Sequence, residues 1–319
     1  MSALFAMSAG ALGYSLWLRP ERSAGPPDGA RVLVNGFRSD ASGREARLAR
    51  SLFVTTLQQS SRLHVIVDQD VLPLVKKMAP QAAGLPLSGP LLHDLLKQLR
   101  AGFWIDAEFR PRASRYSLNL TLLRVADGQA ITDAAVRDRP GIVDLAQHAA
   151  LWLRSFSGES ERSLTVNPVA VGSYTSKAPE ALQRYYDAME HYALAEMDQA
   201  IPLLEQAVNL DPGFAQAHSM LGMCLNPTGA YDRAFVEVAP AKDLAMNGRY
   251  PERECAWILT NYYTLCEDPL KMVEASKANA DYYPGEPRFQ RVLAHTLCRT
   301  GRAAEGIAHN RKAVDLSPE

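Results

Sequence analysis

Histidines, cysteines and carboxylates are where this chain would carry chemistry, and their spacing points away from catalysis. His93-Asp94-Leu95 has the His and Asp of a phosphotransfer catalytic loop, but the arginine between them and the downstream asparagine are absent. A Gly-rich phosphate loop, a strand lysine and Asp-Phe-Gly are missing too. No Gly-x-Ser-x-Gly, His-Glu-x-x-His or Walker A stretch occurs, which removes the motif-borne hydrolases, metalloproteases and NTPases. The histidines, His64, His93, His148, His191, His218, His295 and His309, show no ligand spacing, so no metal and no other cofactor is expected. Cys224, Cys255, Cys266 and Cys298 form no Cys-x-x-Cys pair. Cys255 and Cys266 should lie roughly 16 Å apart along one helix, too far for a bridge, so the cysteines read as small core residues. What remains is binding chemistry, in aromatic, methionine and arginine side chains of the C-terminal half that helices must align.

Those side chains sit on a chain of ordinary globular make-up. Of 319 residues 47% are apolar and 22% charged, which excludes disordered, collagenous and coiled-coil classes. At roughly 150 residues per domain the length predicts two domains. Lys+Arg 34 against Asp+Glu 35 leaves a net charge of -1, without the basic field that non-specific nucleic-acid binding needs, so no nucleic-acid partner is expected.

Residues 1–29 open with an uncharged, mostly apolar stretch, Ala3 to Leu18, closed by Arg19 and Arg22 and followed by a linker over Ser23 to Gly29. It is shorter than the roughly 17–25 residues of a spanning helix and lacks a basic leader. It therefore reads as the distal end of a membrane anchor that begins before Met1.

Over residues 30–157 the hydrophobic period switches between two and 3.6. Arg31 to Phe37 and Leu63 to Val67 are β-rich runs, each followed by a helical pattern, Ser42 to Ser60 and Asp68 to Met78. Leu91 to Leu99 predicts a third helix. Phe103 to Phe109, Tyr116 to Val125 and Ala130 to Val136 predict strands, with Asp127-Gly128 as a hairpin turn, and Ile142 to Phe156 a closing helix. The middle strand alternates, Tyr116, Leu118, Leu120 and Leu122 against Ser117, Asn119 and Thr121, as a half-solvated antiparallel strand requires. The expected class is α+β. This order, with a Val-Leu-Val strand, Ala101-Gly102-Phe103-Trp104-Ile105 at a strand start and the Ala126-Asp127-Gly128-Gln129 hairpin, resembles the amino-terminal domain of TolB and related envelope proteins. Relatives often carry Asp-Phe after the first strand; Asn35-Gly36-Phe37 stands here, so no ligand role of that acid carries over.

Residues 178–319 are continuous helix with a 34-residue period, the length of the tetratricopeptide repeat. Ala188 and Gly222, Ala200 and Ala234, and Ala207 and Ala241 stand 34 apart, where two antiparallel helices approach too closely for larger side chains. Four repeats follow, and a four-residue insertion delays the third to about Arg253. That repeat is degenerate, with Thr260, Met272 and Asn279 at its small positions, which predicts altered packing. The fourth recovers Ala294, Gly306 and Ala313. No polar capping helix follows it, so the chain is expected to continue or to pair with a second copy there as a homo-oligomer.

A TolB-like domain followed by such an all-α solenoid is similar to the extracytoplasmic half of acidobacterial-type membrane serine/threonine kinases. The resemblance implies a membrane-anchored, periplasm-facing protein. The expected function is a non-catalytic protein–protein interaction scaffold at the bacterial cell envelope. The alternatives are the sensor half of a fused serine/threonine kinase or winged-helix regulator, and an enzyme with a site between the two domains. In such repeats fixed first-helix positions line a concave groove: here Leu182, Tyr185, Met189 and Tyr192, then Ser219, Met223 and Asn226, then Trp257 and Asn261, then Arg288, Arg291 and His295. Aromatic and methionine side chains at one end and arginines at the other suit an extended peptide with an acid near its terminus.

Overall fold

The computed structural model describes residues 25–39, 43–81, 85–113, 115–166, 175–250, 252–284 and 286–316. The apolar stretch Ala3 to Leu18 lies outside them, and none of the described helices is long and apolar enough to cross a membrane. Five strands, β1 (Ala30–Arg38), β2 (Leu63–Ile66), β3 (Phe103–Arg112), β4 (Arg115–Arg124) and β5 (Ala130–Arg139), form one sheet in the order β2-β1-β3-β4-β5. β1 runs parallel to β2 and β3, with Val32 opposite both Val65 and Phe103, and β3, β4 and β5 form an antiparallel meander with Leu120 opposite Ala107 and Ala134.

Helices α1 (Gly43–Leu57), α2 (Asp68–Met78), α3 (Gly89–Gln98) and α4 (Ile142–Phe156) cover the sheet. A parallel strand between crossover helices is buried on both faces, and its sequence must be a continuous apolar run. Accordingly Val32 and Val34 join the cluster that holds Leu52 and Phe53 of α1 and Leu153 of α4, while Leu33 turns to Val71 of α2 and Leu95 of α3. β4 packs on one face only, hence its alternation.

β3 and β5 run past their last apolar residues, Phe109 and Val136, because the ladder continues with Arg112 opposite Arg115 and Tyr116 opposite Arg139. Backbone pairing there needs no apolar side chain. Periodicity also missed a short helix, α5 (Glu161–Val166). It follows a buried ion pair in which Arg154 Nε and Nη2 donate to Glu159 at 2.9 and 2.7 Å.

The remainder is four helix pairs: α6 (Pro179–Ala193) with α7 (Met197–Leu210), α8 (Ala215–Leu225) with α9 (Tyr231–Leu244), α10 (Glu252–Leu265) with α11 (Pro269–Tyr282), and α12 (Pro287–Arg299) with α13 (Ala303–Leu316). Stacked in order, they form a helical repeat of the tetratricopeptide type. The small positions Ala188, Ala200, Ala207, Ala234, Ala241 and Ala313 are buried where paired helices meet. The four inserted residues are absorbed where the helix after α9 widens over Ala245–Arg249. In the degenerate third repeat a polar contact replaces the small one: Asn279 Nδ2 donates to Thr260 Oγ1 at 2.8 Å and to the Ala256 carbonyl at 3.1 Å.

One apolar cluster spans both parts, since Ala181, Leu182, Ala207, Phe214 and Ala217 pack into the same core as the sheet, α1 and α4. Polar contacts join both ends of the solenoid to the sheet side. Tyr186 and Thr55 hydroxyls lie 3.0 Å apart and Lys76 Nζ reaches Glu196 at 2.5 Å. At the far end Arg31 Nη1 donates to the Leu316 carbonyl at 2.7 Å and Arg288 Nη1 to Gln69 Oε1 at 3.4 Å. The solenoid therefore wraps around α1 and α2.

Candidate functional site

The first helices of the repeats, α6, α8, α10 and α12, turn their inner faces toward α1 and α2, and packing is incomplete where the two meet. A cleft of about 150 Å³ remains. Val54 and Thr55 of α1, Gln58 just past its end, and Asp68 and Gln69 of α2 form one wall; Tyr185, Tyr186, Met189, Tyr192, Gln216, Met220, Glu254, Trp257, Arg288 and Phe289 form the other. The rings hold one another in place. Tyr185 packs on Tyr186 and Phe214 with centroids 5.2 and 4.9 Å apart, and Phe289 meets Trp257 edge-on at 5.4 Å while stacking on Tyr283 at 4.7 Å. Such a rigid aromatic wall is adapted to binding apolar groups at little entropic cost.

Polar capacity in the cleft is left unused. Arg288 lies over the Phe289 ring at 4.5 Å and the Trp257 ring at 5.6 Å. Of the five N–H donors of a guanidinium, one meets a hydrogen-bond acceptor among the described residues, Gln69, and Nε makes no hydrogen bond to them. Gln216 Oε1 is buried without a donor among the described residues. Asp68 is neutralised by Arg50, whose Nη2 and Nη1 donate to its carboxylate at 2.7 and 2.9 Å; Glu254 accepts from the Tyr283 hydroxyl at 3.4 Å. Burial, with the charge of Glu254 added and that of Arg288 opposed, pushes the Tyr185 phenol up; burial likewise raises Tyr192 against Arg288. Both phenols are therefore neutral O–H groups at physiological pH.

Beside the cleft, Glu286 and Arg288 of the fourth repeat face Arg31 and Asp70. Glu286 is buried, its Oε2 lies 3.8 Å from Arg288 Nε, and that oxygen accepts no hydrogen bond from the described residues. Burial pushes its carboxyl up to about 7, with Asp70 adding and Arg288 and Arg31 opposing. The folded chain thus holds this proton more tightly than the unfolded one, whose carboxyl has the ordinary value of 4.5. The stabilisation is full below that value, declines as pH rises toward 7 and then levels off. Glu286→Gln should remove a decline of roughly 3 kcal/mol between pH 4.5 and 7.5, read as urea midpoints; parallel curves for variant and parent would contradict this.

Of the twelve groove residues expected from the sequence, Tyr185, Met189, Tyr192, Trp257 and Arg288 line the cleft. Asn261 does not line a surface: it is buried, donating Nδ2 to Ser219 Oγ at 2.9 Å, and ties α10 to α8. Leu182 and Ser219 are buried as well. Met223 packs half-buried against the second repeat's core, Asn226 begins the single turn after α8, and Arg291 and His295 are exposed. Position within a repeat finds the inner face but not its cover, so Thr55, Gln58, Asp68 and Gln69 carried no signal. Gln216, at the start of α8, carried none either. Among the described residues no group of three or more His, Cys, Asp or Glu is placed to hold a metal ion.

No protein-family model matches the chain, and no curated protein does. Part of it is similar to solved structures. A thermophilic TPR protein of Thermus thermophilus is 19% identical with a TM-score of 0.35, over 56% of this chain and 87% of that one. MamA of Desulfovibrio magneticus is 16% identical with a TM-score of 0.32, over 53% and 84%. The LpoB C-terminal domain of Salmonella enterica is 16% identical with a TM-score of 0.31, over 36% and 86%. Likenesses of this degree carry no functional argument. The helical repeat stands on this chain's own paired helices and its 34-residue period.

Proposed function

We propose that this chain is a non-catalytic protein-interaction module that holds a segment of a partner in the cleft between α1–α2 and the inner face of the repeats. One observation carries the reading: five side chains from repeats one, three and four converge there with α1 and α2, leaving an aromatic wall beside an arginine with unused donors. A site lined this way selects an apolar side chain next to an acid. The resemblance of the sheet part to the amino-terminal domain of TolB, and of residues 3–18 to the end of a membrane anchor, supports placing the module at the bacterial cell envelope, facing the periplasm. Exposed Ile307 and Val314 on α13 support pairing through the last repeat.

Photo-crosslinking tests the reading. Benzoylphenylalanine at Met189 should capture a partner that the same group at exposed Tyr231 on α9 does not. Equal capture at both positions would sink it. A second reading, the sensor half of a fused kinase or regulator, gains support from the position of the cleft. A ligand held between two parts of a chain favours the arrangement in which both touch it, which is what an input domain needs.

A further inference from the structure

The cleft is too small for an extended segment and about right for one ring. A volume near 150 Å³ is roughly what holds a benzene-sized group. Its walls are built for one, since Tyr185, Tyr192, Trp257 and Phe289 line it and Phe289 stands edge-on to Trp257 at 5.4 Å. Two polar groups on these walls have capacity to spare. Arg288 is the cation among the described lining residues, held over the rings of Phe289 and Trp257 at 4.5 and 5.6 Å. Its contact with Gln69 is long, 3.4 Å, and its ion-pair partner Glu286 stands 3.8 Å from Nε, beyond hydrogen-bond reach. Gln216 is the second: it is 6% exposed, and its Oε1 accepts from no donor among the described residues. The carboxylates of the lining are engaged, Asp68 with Arg50 at 2.7 Å and Glu254 with the Tyr283 hydroxyl at 3.4 Å.

Resting on the reading of this cleft as the binding site, we infer that it takes a small aromatic carboxylic acid that carries one uncharged hydrogen-bond donor. The ring lies among the aromatic side chains, the carboxylate accepts from the Arg288 guanidinium, and a hydroxyl or N–H of the ligand donates to Gln216 Oε1. An amide in place of the acid would accept weaker, uncharged hydrogen bonds from Arg288. A ring without a donor would cover Gln216 Oε1 and offer it nothing, and a buried acceptor left unpaired costs affinity. Because α1 and α2 on one side and α6, α8, α10 and α12 on the other all border the cleft, occupancy strengthens the closure of the solenoid on the sheet part. The same ligand excludes a partner's segment from these walls.

Calorimetry and thermal unfolding of the full chain with 3- and 4-hydroxyphenylacetate, their two amides and phenylacetate test this. At least one hydroxy acid should bind about tenfold more tightly than its own amide and about fivefold more tightly than phenylacetate. It should raise Tm by about 2 °C at tenfold excess over Kd. Arg288→Gln should bring that acid down to the level of its amide, and Gln216→Met should bring it down to the level of phenylacetate. Circular dichroism establishes that each variant is folded, and because each is judged by the ratio of two ligands, a general loss of structure does not mimic the effect. An acid and its amide binding the parent equally well would overturn the inference while leaving the partner-segment reading intact. Binding of none of the five would overturn the inference as well, and capture from Met189 would then still decide the partner-segment reading.

Discussion

Glu159→Leu is expected to lower the free energy of unfolding by about 3–5 kcal/mol, because it strands a charged guanidinium in the core. Arg154 is 1% exposed, its Nη1 has no acceptor among the described residues, and its Nε and Nη2 donate to Glu159. The same carboxylate accepts from Ser60 at 3.0 Å and Ser163 at 2.7 Å, so one residue ties the end of α4, the lead into β2 and the start of α5. Urea unfolding followed by the emission of Trp152, on α4, measures the effect. Joint replacement, Arg154→Met with Glu159→Leu, should return most of the loss, since an apolar pair needs no compensation. Burial pushes the Glu159 carboxyl up, but the hydrogen bonds and charge of Arg154, with Ser163 and Ser60, hold it below the ordinary range. Its contribution is therefore present at neutral pH and lost as pH falls through that lowered value, the opposite sign to Glu286.

Gly222→Val should cost about 3 kcal/mol by overpacking the second repeat. A Cβ at Gly222 would stand 2.8 Å from the Ala234 carbonyl oxygen of α9, 3.1 Å from Val238 Cβ and 3.3 Å from Leu265 Cδ1. The leucine end can yield, but the carbonyl belongs to a helix backbone, so α8 and α9 must separate and open the core around Leu221 and Ala234. Gly141→Ala, with no atom within 4 Å of its added Cβ, is the matched control and should unfold with the parent in thermal scans. Equal Tm values for the two variants would mean that close approach of the paired helices is not what fixes the repeat.

These two sites also show what the sequence could and could not disclose. Gly222 was legible, because a small residue recurring every 34 positions has one physical cause in a helical repeat. The strands were legible too, since Val32, Leu33 and Val34 together require burial on both faces and Leu118, Leu120 and Leu122 require it on one. The Arg154–Glu159 pair was not, because a buried ion pair looks in sequence like two surface charges. Half of the candidate site was legible for the same reason as Gly222: Tyr185, Tyr192 and Trp257 hold repeat positions that face inward. The rest depended on where a non-repeating element docks. Nothing in the amphipathic pattern of α1 or α2 shows that Thr55 and Gln69 meet the inner face of a solenoid more than a hundred residues away. Asn261 failed because the third repeat replaces apolar contacts by polar ones, so a residue read as lining the groove became a strut between α10 and α8.

A ligand that enters the cleft between α1–α2 and the repeats must depend on the side chains of its walls. The decisive measurement is the affinity of the partner captured at Met189 for the full chain carrying Trp257→Ala with Arg288→Gln, against the exposed control Lys312→Ala. Losing an aromatic anchor and a charged donor together predicts a loss of at least a hundredfold for the cleft variant and none for the control. An affinity within twofold of the parent for both would place the binding site elsewhere on the molecule.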